Sequence, residues 1–433
     1  MRIFDILAKK RDGKELTKEE LEFFIKGICS GEITDYQASA MLMAMYINGL
    51  SDSETVNLTI SMKNSGDVAD LSSIEGVKVD KHSTGGIGDK TTLIIAPMLA
   101  QMGLKVAKMS GRGLGHTGGT VDKLESITGY NTALSPKQFI SNVKKIGVCV
   151  TGQSGNFAPA DKILYALRDT TATIDNVPLI ASSIMSKKLA CGNDCLLLDV
   201  KVGSVAFCIT LKMSKELAKC MVKIGNGSVI KTMALITEMN NPLGKNIGNS
   251  LEVIESIEVL KNGGPQDLRN VSIDIVSNLY SMATGVSLSE ATKKAMAVLE
   301  DGSALAKFKE MVKLQGGDVE LINDVNNFEK AKYTFKVTAE TEGYINSFNC
   351  QTIGETSVTL GAGRVRKEDG IDFSAGIIME KKIGDYVKVG DTIATLYTNK
   401  KNVKDSAIKQ FMSAVVISSK KVKPLKEVLA VVK

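Results

Sequence analysis

Two glycine-rich segments carry the residues whose types and spacing most clearly suggest chemistry. KHSTGGIGD (81–89) and SGRGLGHTGGT (110–120) each follow a short predicted strand and each lead into a predicted helix. Glycines let backbone amides approach an anion closely, and a helix N-terminus adds partial positive charge. Together the two segments predict a site for one phosphate dianion, formed by Lys81, His82, Ser83, Thr92, Lys108, Met109, Ser110 and Thr120.

A second group of polar residues, Arg168, Ser183 and Lys187, follows later in the chain. Ser183 and Lys187 are four residues apart on a predicted helix and therefore share one face. A planar guanidinium and an ammonium can hydrogen-bond the carbonyl and ring nitrogen of a pyrimidine. By itself the group also fits a solvated helix surface, whose charges could be removed without loss of the fold. If the group lies next to a phosphate site, the same three residues predict a surface that binds a pyrimidine ring.

The elements that must position these residues follow from the pattern of apolar residues. The first 65 residues predict three amphipathic helices, with capping-box pairs Thr17–Glu20 and Ser51–Glu54 at two of their starts. Strand, glycine loop and helix then follow one another twice between about residues 77 and 121. This order is typical of a parallel α/β sheet, which binds ligands beyond the carboxyl ends of its strands.

The pattern changes twice more. Helical periodicity returns over residues 160–190, the strand-like LLLDVKV (196–202) resumes the sheet, and β-like alternation begins near residue 335. We predict a small all-helical domain packed against a large mixed α/β domain with the phosphate loops, followed by an α+β C-terminal domain. The predicted bounds are 1–66 with 160–192, 67–159 with 193–334, and 335–433.

Composition and charge exclude several classes of protein. The 433-residue chain has a net charge of +6, but it has no basic cluster interleaved with aromatic residues, which argues against nucleic-acid binding. Its apolar runs are too short to span a membrane, and its charged first 20 residues predict a cytoplasmic protein. The seven cysteines are scattered and form no zinc-binding spacing, so we expect reduced thiols.

Two short motif matches do not support an organic cofactor. GLGHTG (113–118) fits a dinucleotide-binding pattern, but no second strand ending in an acidic residue follows about 20 positions later. GIGDKT (86–91) lacks the adjacent Gly-Lys of a nucleotide-binding P-loop. We therefore expect neither a nicotinamide cofactor nor ATP.

Four longer segments carry a family resemblance. SGRGLGHTGGTVDKLES (110–126) resembles the signature of the thymidine/pyrimidine-nucleoside phosphorylases, and KHSTGGIGD resembles their phosphate loop. GQSGNFAPADKILYALRD (152–169) and PLIASSIMSKKLA (178–190) also resemble family segments and occur in the family's order. The resemblance extends over the whole chain.

The resemblance implies an enzyme that reversibly converts a pyrimidine nucleoside and inorganic phosphate to free base and ribose or deoxyribose 1-phosphate. It implies a homodimer with no organic cofactor and phosphate as co-substrate. Phosphate would be held by the eight residues named above, which lie in or next to the glycine segments, and the base by Arg168, Ser183 and Lys187. His82 would lie between them, so that His82, Arg168 and Lys187 are the implied catalytic residues, with His82 as a candidate proton donor.

Specificity and reaction class leave alternatives open. Lys108 resembles the residue of relatives that accept uridine, thymidine and deoxyuridine, whereas strict thymidine phosphorylases tend to have an apolar residue there. A thymidine-specific enzyme and an anthranilate-type phosphoribosyltransferase, which would need magnesium, are the alternatives. The segment GIIMEKKIGDYVKVGDTIATL (376–396) faintly resembles a lipoyl or biotinyl carrier, but Glu380 stands where a modified lysine would be.

The resemblance also implies a structural potassium ion, and here the chain departs from the pattern. The implied ligands align with Gly88, Lys90, Leu243, Asn246 and Glu255. Position 90 is usually threonine in those relatives, and the lysine ammonium could repel the ion or replace it. A second departure, Val205 with Cys208 in place of glycine and methionine, has no mechanistic explanation.

Overall fold

A computed structural model describes residues 1–113, 118–153, 156–204, 208–366 and 368–433. The helices are α1 (Ile3–Arg11), α2 (Lys18–Ser30), α3 (Asp35–Asn48), α4 (Asp52–Lys63), α5 (Thr91–Gln101), α6 (Thr120–Glu125), α7 (Pro136–Ile146), α8 (Pro159–Thr170), α9 (Val177–Ala190), α10 (Leu211–Gly227), α11 (Asn249–Leu260), α12 (Gln266–Thr284), α13 (Leu288–Glu300), α14 (Ser303–Leu314), α15 (Glu320–Asn323), α16 (Cys350–Leu360) and α17 (Lys404–Ser413). The strands are β1 (Lys78–Ser83), β2 (Lys105–Ser110), β3 (Val148–Gly152), β4 (Cys195–Val202), β5 (Lys231–Glu238), β6 (Asn246–Ile247), β7 (Tyr333–Thr338), β8 (Gly343–Phe348), β9 (Gly376–Met379), β10 (Tyr386–Val387), β11 (Thr392–Thr398), β12 (Val415–Ser418) and β13 (Val428–Val432).

The helical unit contains α1 to α4 together with α8 and α9. The N-terminal segment forms four helices, so the prediction of three was wrong: the short, highly charged α1 has a weak apolar face but buries Ile6. Both predicted capping boxes are present, at Thr17–Glu20 and Ser51–Glu54. Side chains from α8 and α9 join the core of the N-terminal helices, as Leu164 and Leu179 show.

The large unit is built on a six-stranded sheet with the order β13-β5-β4-β1-β2-β3. The pairs β5–β4, β4–β1, β1–β2 and β2–β3 are parallel, as predicted. The strands β3 and β4 are almost entirely buried, which is typical of a parallel sheet covered on both faces. Because β1 is central, the residues at its carboxyl end lie beside those that follow β2 and β4.

The C-terminal unit has its own core, with buried residues from β7 to β11, α16 and α17. Its strands form two antiparallel groups, β10-β8-β12 and β6-β9-β11-β7. The fold class is thus the predicted one, a helical unit, a large α/β unit and a C-terminal unit rich in strands.

The structure corrects one aspect of the predicted C-terminal domain. Residues 335–433 do not form a closed unit, because β13 leaves it and pairs antiparallel with β5 at the edge of the large sheet. In exchange, β6 of the preceding segment pairs with β9 of the C-terminal unit. No sequence pattern marks either pairing, since an edge strand finds its partner through tertiary contact. Within the described residues, no helix has the length and apolar character needed to cross a bilayer.

Candidate active site

The carboxyl ends of β1 and β2 open into a cavity of about 310 Å³. All eight residues predicted to hold phosphate line this cavity: Lys81, His82, Ser83, Thr92, Lys108, Met109, Ser110 and Thr120. Glycines of both loops complete the wall, among them Gly85 and Gly119. His116, also in the second loop, lies outside the described residues.

Glycine is required at position 119 because the chain packs against itself there. A Cβ atom built on Gly119 would lie 2.0 Å from the amide nitrogen of Gly113 and 2.5 Å from the carbonyl carbon of Arg112. Asp122 fixes the same turn, since it accepts hydrogen bonds from the Gly113 amide (2.7 Å) and from Arg112 (3.1 Å). Arg364 of the C-terminal unit donates to the same carboxylate at 2.9 Å.

Asp80 on β1 anchors a first group of charges below the cavity. Its carboxylate lies 3.1 Å from the Lys108 ammonium and 3.0 Å from that of Lys188 on α9. Burial opposes ionisation, but the two lysines outweigh it and lower the pKa of Asp80 to about 2. Burial also lowers the pKa of Lys108 to about 8, although Asp80 offsets part of the effect. The pair Asp80–Lys188 joins the sheet to the helical unit.

Lys81 belongs to a second group of charges, because successive strand residues point to opposite faces. Its ammonium lies 2.9 Å from Asp199 and 3.3 Å from Asp89, and it donates to Thr91 at 2.7 Å. These carboxylates outweigh the effect of burial and raise the pKa of Lys81. Lys201 also pairs with Asp199, at 2.8 Å.

The two groups together hold four ammonium groups, from Lys81, Lys108, Lys188 and Lys201, against three carboxylates, from Asp80, Asp89 and Asp199. The excess of one positive charge, next to exposed loop amides, suits an anionic ligand.

The base-site residues line a second cavity of about 270 Å³ between α8, α9 and the end of β1. Arg168, Ser183 and Lys187 all border it, together with apolar side chains such as Ile180. The two cavities adjoin, because four residues line both of them: His82, Ser83, Ile184 and Lys187. The structure thus brings both predicted residue sets into one cleft.

Arg168 is not the exposed charge that a solvated helix surface would carry. It is only 3% exposed, and its guanidinium donates to the carbonyls of Thr173 (3.1 Å), Ile174 (2.8 Å) and Leu179 (3.2 Å). Of its five N–H groups, two remain for a ligand in the cavity. Arg168 therefore fixes the α8–α9 connection as well as lining the cleft.

Lys187 lies at the junction of the two cavities. Its ammonium donates to Asp161 of α8 at 2.6 Å, and its side chain is 35% exposed. The Asp161 carboxylate is buried and holds the lysine toward the cleft. The charge available to a ligand is therefore partly screened by a fixed counter-ion.

His82 is half-buried and neighbours two lysines. Exclusion of water, together with Lys188 and Lys108, lowers the pKa of His82 well below its ordinary value. The imidazole is therefore neutral at pH 7, and the role of His82 as a proton donor stays a prediction. A neutral imidazole can still donate one hydrogen bond to a carbonyl oxygen.

The five residues implied as potassium ligands also come together, but an ammonium occupies the centre of the group. Lys90 Nζ lies 3.0 Å from the carbonyl oxygen of Leu243, 2.7 Å from that of Asn246 and 2.5 Å from Glu255 Oε2. Gly88 packs directly against Leu243. The residues present therefore do not fit a potassium ion.

Sequence reasoning missed Lys188 and the four carboxylates that pair with the lysines of the cleft. The missed carboxylates are Asp80, Asp89, Asp161 and Asp199. A usable signal was present, because Asp80-Lys81 and Asp199-Val200-Lys201 place charges inside apolar strands. Charged residues are almost never fully buried unless paired. Val205 lies outside the described residues, and Cys208 is buried beside Val202.

Comparison with known families agrees with this fold and cleft. The family model "Glycosyl transferase family, helical bundle domain" matches residues 4–66, and "Glycosyl transferase family, a/b domain" matches residues 75–305. These two matches define a glycosyl transferase. Residues 344–418 match "Pyrimidine nucleoside phosphorylase C-terminal domain". This range includes the segment 376–396 that faintly resembles a carrier.

Curated relatives agree over nearly the full length. The chain is 50% identical to the pyrimidine-nucleoside phosphorylase of Staphylococcus haemolyticus over 425 residues, 98% of each protein. It is 50% identical to the enzyme of the same name from Bacillus subtilis over 412 residues, 95% of each. The chain belongs to the pyrimidine-nucleoside phosphorylase family, which confirms the predicted resemblance.

A solved structure shows how widely this fold is shared. Anthranilate phosphoribosyltransferase from Thermus thermophilus matches with a TM-score of 0.55 at 16% identity, covering 71% of this chain and 98% of that one. The likeness concerns the fold alone.

Proposed function

We propose that this enzyme catalyses the reversible phosphorolysis of pyrimidine nucleosides, giving free base and ribose or deoxyribose 1-phosphate. The observation that carries the proposal is the pair of adjoining cavities, one lined by cationic glycine loops and the other by Arg168, Ser183 and Lys187. A sugar bound across their shared wall would present its anomeric carbon to phosphate on one side and its base to the second cavity. The names of the curated relatives support the same reaction.

We assign phosphate to the first cavity. Lys108 and the loop amides would donate to the dianion, with hydroxyl donors from Ser83, Ser110 and the two threonines, Thr92 and Thr120. The three donors of Lys81 already meet Asp89, Asp199 and Thr91, so Lys81 would contribute its charge. Fixing phosphate beside the sugar replaces a bimolecular encounter with an oriented attack. Lys81, with its own carboxylate partners, also positions the first loop.

We assign the base to the second cavity. As an oxygen of hydrogen phosphate bonds to the anomeric carbon, the glycosidic bond breaks and its electron pair passes to the base. The base anion then takes up the proton that the phosphate carried, which gives free base and the sugar 1-phosphate dianion. Negative charge then develops beside Arg168 and Lys187, which stabilise it, while neutral His82 donates a hydrogen bond to a base carbonyl. Each such contact contributes about 3–4 kcal/mol in the transition state, by analogy with oxyanion donors.

We further propose broad specificity for uridine, thymidine and deoxyuridine, based on Lys108. Lys108→Met is expected to lower kcat/KM for uridine more than for thymidine. Parallel assays with both nucleosides test this, and an equal loss for the two would refute the argument for specificity that rests on Lys108.

The pKa of Lys108, about 8, predicts a pH dependence of phosphate binding. A dianion favours the charged lysine, so phosphate affinity is greatest below pH 8 and falls as the ammonium loses its proton above it. The pKa of Lys81 and that of Lys188 are raised, so these groups stay charged across the same range. We expect KM for phosphate to rise about fivefold between pH 8 and 9, because the charged fraction of Lys108 falls from about one half to about one tenth.

Initial rates at varied phosphate between pH 7 and 9.5 measure this effect. Lys108→Met is the matched variant: its KM should be high throughout and lose the rise above pH 8. A wild-type KM that stays constant to pH 9.5 would contradict the assignment of Lys108.

The reaction itself is tested by incubating the enzyme with uridine or thymidine, with and without phosphate, in EDTA. We expect phosphate-dependent release of base and one sugar 1-phosphate per base. A phosphoribosyltransferase would instead need magnesium and a pyrophosphorylated sugar. Absence of phosphate-dependent cleavage of any pyrimidine nucleoside would overturn the proposal.

We also propose a domain organisation, an oligomeric state, a localisation and a domain movement. The domains are 1–66 with 160–192, 67–159 with 193–334, and 335–433 apart from its last strand. The enzyme is a homodimer, it is cytoplasmic, and the helical unit closes on the sheet during turnover, since the two half-sites lie on different units.

A further inference from the structure

The segment 242–246 presents backbone carbonyl oxygens toward two lysine ammonium groups, one buried (Lys90) and one half-buried (Lys382). Lys90, only 1% exposed, donates to the carbonyls of Leu243 and Asn246 and to Glu255. An ammonium has three donors, and these three acceptors use all of them. The position is therefore coordinatively complete without any added ion.

A second lysine satisfies the rest of the same segment. Lys382, from the C-terminal unit, donates to the carbonyls of Pro242 and Gly244 and pairs with Asp267 at 3.0 Å. Four of the five carbonyl groups of residues 242–246 thus accept from lysine. A metal cation here would have to compete with two tethered positive charges.

Glu255 is also fully engaged. Its Oε2 faces Lys90, while its Oε1 accepts from the amide of Lys245 at 2.8 Å and from that of Asn246 at 3.2 Å. Removal of the Lys90 ammonium would leave this buried carboxylate and two carbonyls without their cation, which is costly in a site shielded from water.

Lys90 also links three parts of the enzyme. It immediately precedes α5, whose first turn carries the phosphate-cavity residue Thr92. Its acceptor Asn246 begins β6, which pairs with β9 of the C-terminal unit. A cation at this point therefore joins the first glycine loop to the segment 242–246, and through β6 to the C-terminal unit.

We propose that the Lys90 ammonium takes the place of the structural potassium ion implied by the family resemblance, so that this enzyme carries its own cation and needs no alkali metal for stability. Lys90 is a positioning residue, since it does not border the cleft. The inference goes beyond the proposed function, and its principal test does not depend on enzymatic activity.

The test compares melting temperatures in 100 mM potassium chloride and in 100 mM choline chloride. The wild-type enzyme is expected to have the same Tm in both, within about 1 °C. Lys90→Thr is expected to lose about 3–5 °C in choline, because a buried pair is broken, and to recover at least half of that loss in potassium. Atomic emission after dialysis should find one potassium ion per Lys90→Thr chain and none per wild-type chain.

A matched control separates the cation site from the general cost of breaking a buried pair. Lys10 and Glu54 form such a pair at 2.7 Å in the helical unit, at 2% and 1% exposure. Lys10→Thr should lower Tm without any response to potassium. If Lys90→Thr does not fold, the wild-type comparison and its potassium content still decide the question.

Two results would overturn the proposal. One is a wild-type Tm that rises by more than about 2 °C in potassium, or a stoichiometric ion retained by the wild-type chain. The other is a Lys90→Thr enzyme that is as stable as wild type in choline. If the wild-type enzyme shows no phosphorolysis but the melting temperatures respond to potassium as expected, the result counts against the proposed function and not against this inference.

Discussion

Lys187→Met is expected to lower kcat/KM for uridine by about 10³-fold, with most of the loss in kcat. Lys187 borders both cavities, and its side chain is partly exposed to a ligand. Removing one preorganised group that stabilises developing charge typically costs 10²–10³ in kcat. Steady-state phosphorolysis of uridine, with absorbance as the readout, measures the effect.

Lys162→Met provides the control for Lys187, since Lys162 is exposed on α8 and does not border either cavity. It should retain wild-type kinetics. Because Lys187→Met leaves the buried Asp161 carboxylate without its partner, Tm should be recorded for both variants. A loss of less than tenfold in the folded Lys187→Met enzyme would remove Lys187 from the catalytic residues.

Arg168→Met is expected to abolish activity and also to destabilise the fold, by about 3–5 kcal/mol. The guanidinium supplies hydrogen bonds to three carbonyls near the α8–α9 connection, and a buried acceptor left without a donor costs about 1–3 kcal/mol. The sequence alone predicted that either base-site charge could be removed without affecting the fold; the burial of Arg168 predicts the opposite for this residue.

Urea denaturation gives the stability of Arg168→Met, and kinetics at 15 °C give the activity of the fraction that remains folded. Arg11→Met is the matched variant, since Arg11 is 70% exposed and pairs only with Asp12. It should change the free energy of unfolding by less than about 0.5 kcal/mol. An Arg168→Met enzyme as stable as wild type would show that the three carbonyls find other donors.

Local signals account for much of what could be predicted. The capping boxes at Thr17 and Ser51 mark helix starts because donor and acceptor lie three residues apart. The strand, glycine loop and helix order places Lys81 and Lys108 at one edge of the sheet. All eight predicted phosphate residues then line one cavity.

What could not be predicted depends on contacts between distant parts of the chain. Asp80 and Lys188 are 108 residues apart, and Lys90 and Glu255 are 165 apart. No periodicity or motif identifies such partners. The same holds for β13, whose pairing with β5 depends on where the last residues of the chain return in space.

The exchange of β6 and β13 between the large and C-terminal units has a mechanical consequence. Each unit lends a strand to the other's sheet, so neither can detach without breaking backbone hydrogen bonds in both. The large and C-terminal units are therefore joined by backbone hydrogen bonds in two sheets. A chain shortened before residue 428 would also bare the edge of β5, and unpaired edges of this kind promote intermolecular strand pairing and precipitation.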